Sequence, residues 1–339
     1  ITINDWESLI SYIQAGEYSS ILIIVDENTS KFCLPKFASK ITRKYDIIEI
    51  ESGEVHKDLE TCVGIWQTMM DFGADRHSLC INLGGGVIGD MGGFVASTYM
   101  RGMDFIQVPT TLLSQVDASV GGKLGIDFLG YKNLIGIIRN PGAVFVFTEF
   151  LSTLPAEQLR SGYAEVIKHG LIRNKDIYEA TTKMYEPKTA DWYSIIYESI
   201  LIKKEVTELD PEERGVRKIL NFGHTIGHGI ESYNLDSDNH LLHGEAIAIG
   251  MIIEAHLSQQ HGWISSGECQ FLKDRLIGIY GHHPDCIPDI EVLVGLMQKD
   301  KKNKAGKIMF SLLESIGNAT YNVVCTNENI EQAVNYYKN

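Results

Sequence analysis

The stretch NLGGGVIGDMGGF, residues 82–94, carries the pattern G-x-G-x-x-G at Gly84, Gly86 and Gly89, between the apolar run SLCINLG (78–84) and a helix-like segment. Glycines in a strand-to-helix turn let backbone N–H groups approach a pyrophosphate, and the helix that follows presents its positive end. In its standard place the motif closes the first strand of a domain and is followed about 20 residues on by an acidic side chain. Here it comes two elements later, and the next strand, DFIQVP (104–109), ends in Pro-Thr-Thr. The pattern predicts nucleotide binding at Gly84, Gly85 and Gly86, with a ligand-free tight turn as the competing reading. Asp90 in the first helical turn would repel phosphate, so it is expected to contact a ribose hydroxyl or to cap the helix.

Working outward, SILIIVD (20–26) is an apolar run ending in Asp26, and YDIIEIE (45–51) follows an amphipathic segment, so the chain opens as a βαβ unit. Asp26 at a strand end is the natural acceptor for ribose hydroxyls, which favours NAD over a 2′-phosphorylated cofactor; a solvated carboxylate is the alternative. Glu54 and Lys57 in SGEVHK border the same crevice or form a plain helix start before a helix over 57–73. Extended runs at 104–109 and 143–149 complete the first half. Beyond Pro155 the periodicity becomes helical, over 156–174, 191–208, 219–232 and 244–261. The expected organisation is a Rossmann-like α/β NAD-binding domain at 1–150 and an all-α metal- and substrate-binding domain at 151–339.

With 339 residues and 44% hydrophobic content the chain suits two globular domains. A net charge of -14 argues against nucleic acid as a partner, since phosphate-backbone binding needs clustered Lys and Arg. Six scattered cysteines without a C-x-x-C pair fit reduced thiols. The N-terminal ITINDWESLI lacks the basic and apolar regions of an export signal, and no run is long and apolar enough to span a membrane, so a cytoplasmic protein is expected.

Chemistry concentrates in three places. The segment 221–245 holds His224 and His228 at i,i+4 and His243 before Gly244-Glu245. Two imidazoles and a carboxylate make a zinc site with one position open, and spacing alone selects the His224/His228 pair. The carboxylate candidate is Glu165, which shares an otherwise apolar helical face with Lys168; a surface salt bridge is the competing reading. Cations in glycine-rich surroundings, namely Arg101, Lys123, Lys132 beside Asn133, Arg217, and Lys301 with Lys302, suggest a substrate bearing a carboxylate and a phosphate.

Taken in order, GGGVIGD, RG, IQVPTTLLSQVDASVGGK, GYKN, GYAEVIKHG, LNFGHTIGH, HGEA and DKKN cover most of residues 50–315 and together resemble the 3-dehydroquinate synthase family. The resemblance implies an N-terminal Rossmann-like domain, a helical C-terminal domain, an active site between them and a homodimer. The late glycine loop is a feature of that family. It implies Zn2+, or Co2+ in its place, on Glu165, His224 and His243, with His228 becoming a proton relay or substrate contact. His240, nearby in a segment longer than is common in the family, is the alternative to His243. NAD contacts are implied for Asp26, Glu54, Lys57, Gly85, Asp90, Thr110, Thr111, Lys123, Lys132 and Thr153. Substrate contacts are implied for Arg101, Asp117, Lys123, Lys132, Asn133, Lys168, Lys203, Arg217, Asn221 and His228, plus Lys301 or Lys302.

The implied reaction converts 3-deoxy-D-arabino-heptulosonate 7-phosphate into 3-dehydroquinate and phosphate, a step of the shikimate pathway to aromatic amino acids. It proceeds by transient oxidation with NAD, phosphate elimination, re-reduction and intramolecular aldol closure, which makes the enzyme a carbon–oxygen lyase. Three competing expectations are a sibling cyclase making 2-deoxy-scyllo-inosose or a valiolone, a metal-dependent polyol dehydrogenase, and a non-catalytic NAD-binding module.

Overall fold

The structure is a computed structural model that describes residues 1–129, 131–183, 190–234, 241–298 and 307–339. The chain divides into two compact units, the first made of Ile1–Pro155 with Trp192–Ile200, the second of Ala156–Asp191 with Leu201–Asn339.

In the first unit the strands are β1 (Thr2–Ile3), β2 (Ile21–Asp26), β3 (Asp46–Ile50), β4 (Leu79–Gly84), β5 (Asp104–Pro109), β6 (Lys123–Phe128), β7 (Tyr131–Ile138) and β8 (Ala143–Val146). Six of them form a parallel sheet in the order β1-β8-β5-β4-β2-β3. A parallel sheet is covered on both faces, which is why ILIIV of β2 is apolar at every position. Alternate residues feed two cores. Leu22, Ile24 and Cys80 pack on one side with α4 (Leu59–Asp71) and α5 (Gly86–Thr98), as Ile21, Ile23, Val25 and Ile81 do on the other with α1 (Trp6–Ala15). Two short helices, α2 (Glu27–Phe32) and α3 (Leu34–Ala38), link β2 to β3.

This order explains the late glycine loop. From β2 the chain moves outward to β3 and returns on the other side of β2 as β4. The carboxyl ends of β2 and β4, at Asp26 and Gly84, therefore flank the point where strand order reverses, which is where open α/β sheets bind ligands. The loop is late in sequence and central in space.

Strands β6 and β7 form an antiparallel hairpin with Gly125 opposite Gly136, in a stretch that sequence periodicity left without elements. A Cβ on Gly136 would overlap the Leu124 carbonyl oxygen, so the two backbones approach at a distance that only glycine permits.

The second unit contains α6 (Ala156–Arg173), α7 (Lys175–Lys183), the second half of α8 (Trp192–Leu209), α9 (His224–Asn234), α10 (His243–Gln260), α11 (Ser266–Tyr280), α12 (Ile290–Gln298) and α13 (Asn327–Lys338). It is helical, as expected, with one added antiparallel hairpin of β9 (Phe310–Ser315) and β10 (Asn318–Val323). Glycines set the helix spacing: a Cβ on Gly244 would overlap the backbone at Ser161 of α6, and one on Gly250 the carbonyl oxygen of Gly223. Among the described residues no helix is long and apolar enough to cross a membrane.

Candidate nucleotide and metal centres

In the first unit α5 begins at the glycine loop with Gly85 as N-cap, and no side chain caps it. A helix start without a side-chain cap presents first-turn N–H groups, the usual seat of a phosphate. Thr110 and Thr111 brace the loop. The Thr110 N–H donates to Gly84 O at 3.0 Å, and a Cβ on Gly85 would come within 3.1 Å of the Thr111 methyl. Asp26 caps α2, its Oδ1 accepting from Thr29 N at 2.7 Å and from Thr29 Oγ1 at 3.0 Å.

Asp90 lies a full turn into α5 and does not cap it. Its Oδ2 is 2.7 Å from Lys57 Nζ, which also donates to Asn133 Oδ1 at 2.7 Å and stands 3.7 Å from Glu54 Oε1. Glu54 Oε1 is in turn 4.0 Å from Lys132 Nζ. Lys57 is 3% exposed. Burial alone would lower its pKa, but Asp90, Glu54 and Asp127 together hold it above the ordinary lysine range, so the ammonium stays charged. Asp127 receives the Asn133 N–H at 2.7 Å and donates its own N–H to Lys57 O at 2.8 Å. Burial, with Glu54 adding to it, raises the Asp127 carboxyl despite the Asn133 N–H and the two lysines. Asn133 is held by these bonds at φ 50°, a left-handed conformation that a surrounding network must enforce.

The other expected residues of this unit are more peripheral. Arg101 is exposed at φ 70°, between Met100 at 47° and Gly102 at 114°. Lys123 is exposed at the first position of β6, Asp117 half-buried in the turn Ser114–Ala118, and Thr153 exposed in the turn Thr148–Thr153.

In the second unit Glu165 of α6 is 0% exposed. Its Oε1 lies 3.4 Å from His224 Nε2 on α9 and 3.5 Å from His243 Nε2 on α10, while Lys168 pairs with Oε2. The surface salt bridge is thereby excluded as an account of Glu165 and Lys168, since both are buried. Charge-assisted hydrogen bonds are about 2.7–2.9 Å. Separations of 3.4 and 3.5 Å are too long for those, yet they match the edge of about 3.3 Å of a tetrahedron with metal–ligand bonds of about 2.0–2.1 Å. The three donor atoms lie within 4.8 Å of one another. Oxygen plus two imidazole nitrogens, with a fourth position open, suits Zn2+ or Co2+, so the residues fit the ion that the resemblance implies.

Spacing alone pointed to His224 with His228. In the structure the group around Glu165 takes His243 instead, while His228 falls in a second group with Glu231 and His243. The reason is tertiary: α10 packs along α9, with Gly227 against Ala246 and Ile247 and Gly223 against Gly250, and the His243 imidazole at the start of α10 comes within 3.5 Å of Glu165 Oε1. His243 Nδ1 is 3.5 Å from Glu231 Oε2, and His224 Nδ1 is 3.1 Å from Phe222 O. Burial would lower the His243 imidazole, but Glu231 and Glu165 raise it to about 10. A cation binding at Nε2 must therefore displace a proton.

Family models described as 3-dehydroquinate synthase N-terminal and 3-dehydroquinate synthase C-terminal match residues 47–161 and 162–303. The chain belongs to the 3-dehydroquinate synthase family. It is 38% identical over 338 residues to the 3-dehydroquinate synthase of Parabacteroides distasonis, covering 97% of this chain and 94% of the relative. It is 44% identical over 275 residues to that of Dictyoglomus thermophilum, covering 80% and 77%. Among solved structures it resembles a 2-deoxy-scyllo-inosose synthase complexed with carbaglucose-6-phosphate, NAD+ and Co2+, with TM-score 0.83 and 27% identity over 98% of this chain and 94% of that one.

Within this 3-dehydroquinate synthase family member, the remaining expected residues of the second unit are held by neighbours that sequence reading did not mark. Arg217 is 2% exposed and donates through Nη1 to Pro211 O at 2.7 Å. Asp210 fixes its loop by accepting from Arg214 N, Gly215 N and Arg217 N at 3.0, 2.7 and 3.0 Å. Burial works against the Asp210 charge, but those N–H groups and Arg217 outweigh it and lower its pKa. Asn221 donates to Glu213 Oε1 at 2.8 Å, and Lys203 is buried on α8. Glu231 could have been found from its place seven residues after His224 on one helical face; Asp210 and Asp127 carried no such signal. His240, Lys301 and Lys302 lie outside the described residues.

Proposed function

We propose that this chain is a 3-dehydroquinate synthase that converts 3-deoxy-D-arabino-heptulosonate 7-phosphate into 3-dehydroquinate and phosphate, a carbon–oxygen lyase reaction using NAD and one divalent metal ion. The observation that carries it is the fully buried Glu165 carboxylate with two imidazole Nε2 atoms at 3.4 and 3.5 Å, in a chain whose family match spans both halves. The main division of labour follows the chain: residues 1–150 chiefly bind NAD and add contacts to the phosphate of the substrate, and 151–339 bind the metal and the rest of the substrate.

Glu165, His224 and His243 would hold the metal, which when bound polarises substrate hydroxyls while NAD accepts and returns a hydride. Lys168 balances the Glu165 charge through their buried pair and is assigned as a proton carrier. His228, whose ring centroid is 5.1 Å from that of His224, is assigned the same task. Arg217 and Asn221 supply donors for the substrate carboxylate, which a sibling cyclase substrate lacks. Arg101, Lys123, Lys132 and Lys203, with Asn133 and Asp117, are assigned to the phosphate-bearing end, where cations stabilise charge on the departing group.

Gly85 with Thr110, Thr111 and Thr153 would seat the dinucleotide phosphates, and Asp26, Glu54, Lys57 and Asp90 its sugar and nicotinamide ends. Six free thiols suit a cytoplasmic setting, and a homodimer completes the proposal.

The test supplies the heptulosonate phosphate with trace NAD and follows phosphate and NADH together. Stoichiometric phosphate with no net NADH supports the proposal. NADH accumulating from a polyol would make the chain a dehydrogenase, and turnover only of a sugar phosphate without a carboxylate would make it a sibling cyclase.

A further inference from the structure

The peptide unit joining Phe222 to Gly223 stands between a buried carboxylate and a metal-centre imidazole. Its carbonyl oxygen is 3.1 Å from His224 Nδ1, and its N–H donates to Glu254 Oε2 at 2.6 Å. The other oxygen of Glu254 accepts from Ile226 N at 3.1 Å. Glu254 is 0% exposed on α10, one turn beyond Gly250. Because Gly250 has no side chain, α10 can lie against the carbonyl of Gly223, itself at φ 79°. That close approach delivers Glu254 to the start of α9.

A carboxylate here meets two demands. It satisfies N–H groups at a buried helix start, where an orphan donor would be costly. It also polarises the peptide, since a group that donates strongly through N–H becomes a better acceptor at C=O. The better that acceptor, the more firmly His224 keeps its proton on Nδ1 and leaves Nε2 bare toward Glu165. Metal-bound histidines generally donate their second N–H to a carboxylate or a carbonyl. His243 has Glu231 for this directly, whereas the carbonyl serving His224 is itself backed by a carboxylate.

We propose that Glu254 is a positioning residue of the metal centre, acting through the Phe222–Gly223 peptide to fix the tautomer and direction of His224. The inference rests on the assignment of the metal to Glu165, His224 and His243. A purely structural cap is the competing account, and metal spectroscopy separates the two.

Metal-free protein is titrated with Co2+ and followed by its visible bands, for the parent, Glu254→Gln and Glu254→Asp, with a melting curve for each. The Gln variant keeps size but turns an amide NH2 toward a backbone donor. It is expected to lose about 10- to 100-fold in Co2+ affinity and to shift the bands, with partial recovery in the Asp variant. Unchanged affinity and bands in the Gln variant, whatever its melting temperature, would reduce Glu254 to a cap and overturn the inference. Should that variant not fold, 15N-histidine NMR of the Co2+-free, Zn2+-loaded parent and Asp variant decides: a shifted His224 Nδ1–H signal supports the inference and an identical one overturns it. A parent that takes up no metal would instead remove the metal assignment itself.

Discussion

Replacing Lys57 with methionine removes the cation that joins α5, the β6–β7 hairpin and the Glu54 turn. In the folded protein the ammonium sits 2.7 Å from both Asp90 Oδ2 and Asn133 Oδ1 and 3.7 Å from Glu54 Oε1. Breaking a buried pair by deleting one partner costs about 3–5 kcal/mol. The Asp90 and Glu54 side chains retain 20% and 35% exposure, so water recovers part of the stranded charge and the loss falls to about 2–3 kcal/mol. For a unit of this size that is a fall of roughly 4–12 °C in Tm. Calorimetry of the parent and Lys57→Met measures it, with NAD binding followed by fluorescence; affinity is expected to fall because Asp90 and Asn133 lose their common partner.

The pH dependence has a definite sign. The folded-state pKa of Lys57 is raised above 10.5, so its contribution is complete below pH 10.5 and is lost only as pH rises through the higher folded value. The stability gap between parent and variant should thus be flat from neutral pH to about 10. Adding Asp90→Asn should restore part of the loss, since no unpaired carboxylate then remains at that position. A melting temperature within about 2 °C of the parent, with unchanged NAD affinity, would refute the view that this lysine holds the three segments together.

Further outcomes are expected. Gly250→Ala should destabilise by about 1–3 kcal/mol or more and lower metal affinity, because the added methyl overlaps the Gly223 carbonyl and forces α9 and α10 apart; urea unfolding and Co2+ titration read both. His243→Ala should lower the Co2+ stoichiometry toward zero with a small change in melting temperature, and full retention of the ion would reject it as a ligand. Asp210→Asn should cost about 1.5–3 kcal/mol at pH 7 by weakening three charged hydrogen bonds to the loop of Arg217. Since the folded pKa of Asp210 is depressed, that gap should persist above pH 3.8 and close as pH falls through the lower folded value, as urea midpoints across pH would show.

Much of the architecture was legible as pattern. The runs at 20–26, 78–84 and 104–109 each place apolar residues at consecutive positions, which marks strands covered on both faces, and the 3.6-residue periodicity beyond Pro155 marks helices. The β6–β7 hairpin escaped because Gly125 and Gly136 remove the alternation that identifies strands, and their reason for being glycine is a backbone approach visible only in three dimensions. The histidines grouped near Glu165 show the same divide. An i,i+4 pair on one helix is a local signal, and it singled out His228; the partner of His224 nearest Glu165 is His243, from the start of another helix.

By itself, then, the order of residues determined the kinds of element, the family and the chemical groups available, because propensity, periodicity and motif are properties of neighbours along the chain. Tertiary structure alone decided that the glycine loop meets Asp26 across a reversal of strand order, that Lys57 rather than solvent faces Asp90, and that Glu254 reaches His224 through a peptide bond. Each of these depends on distances between segments far apart in sequence, set by how closely backbones can approach, and no local pattern records that.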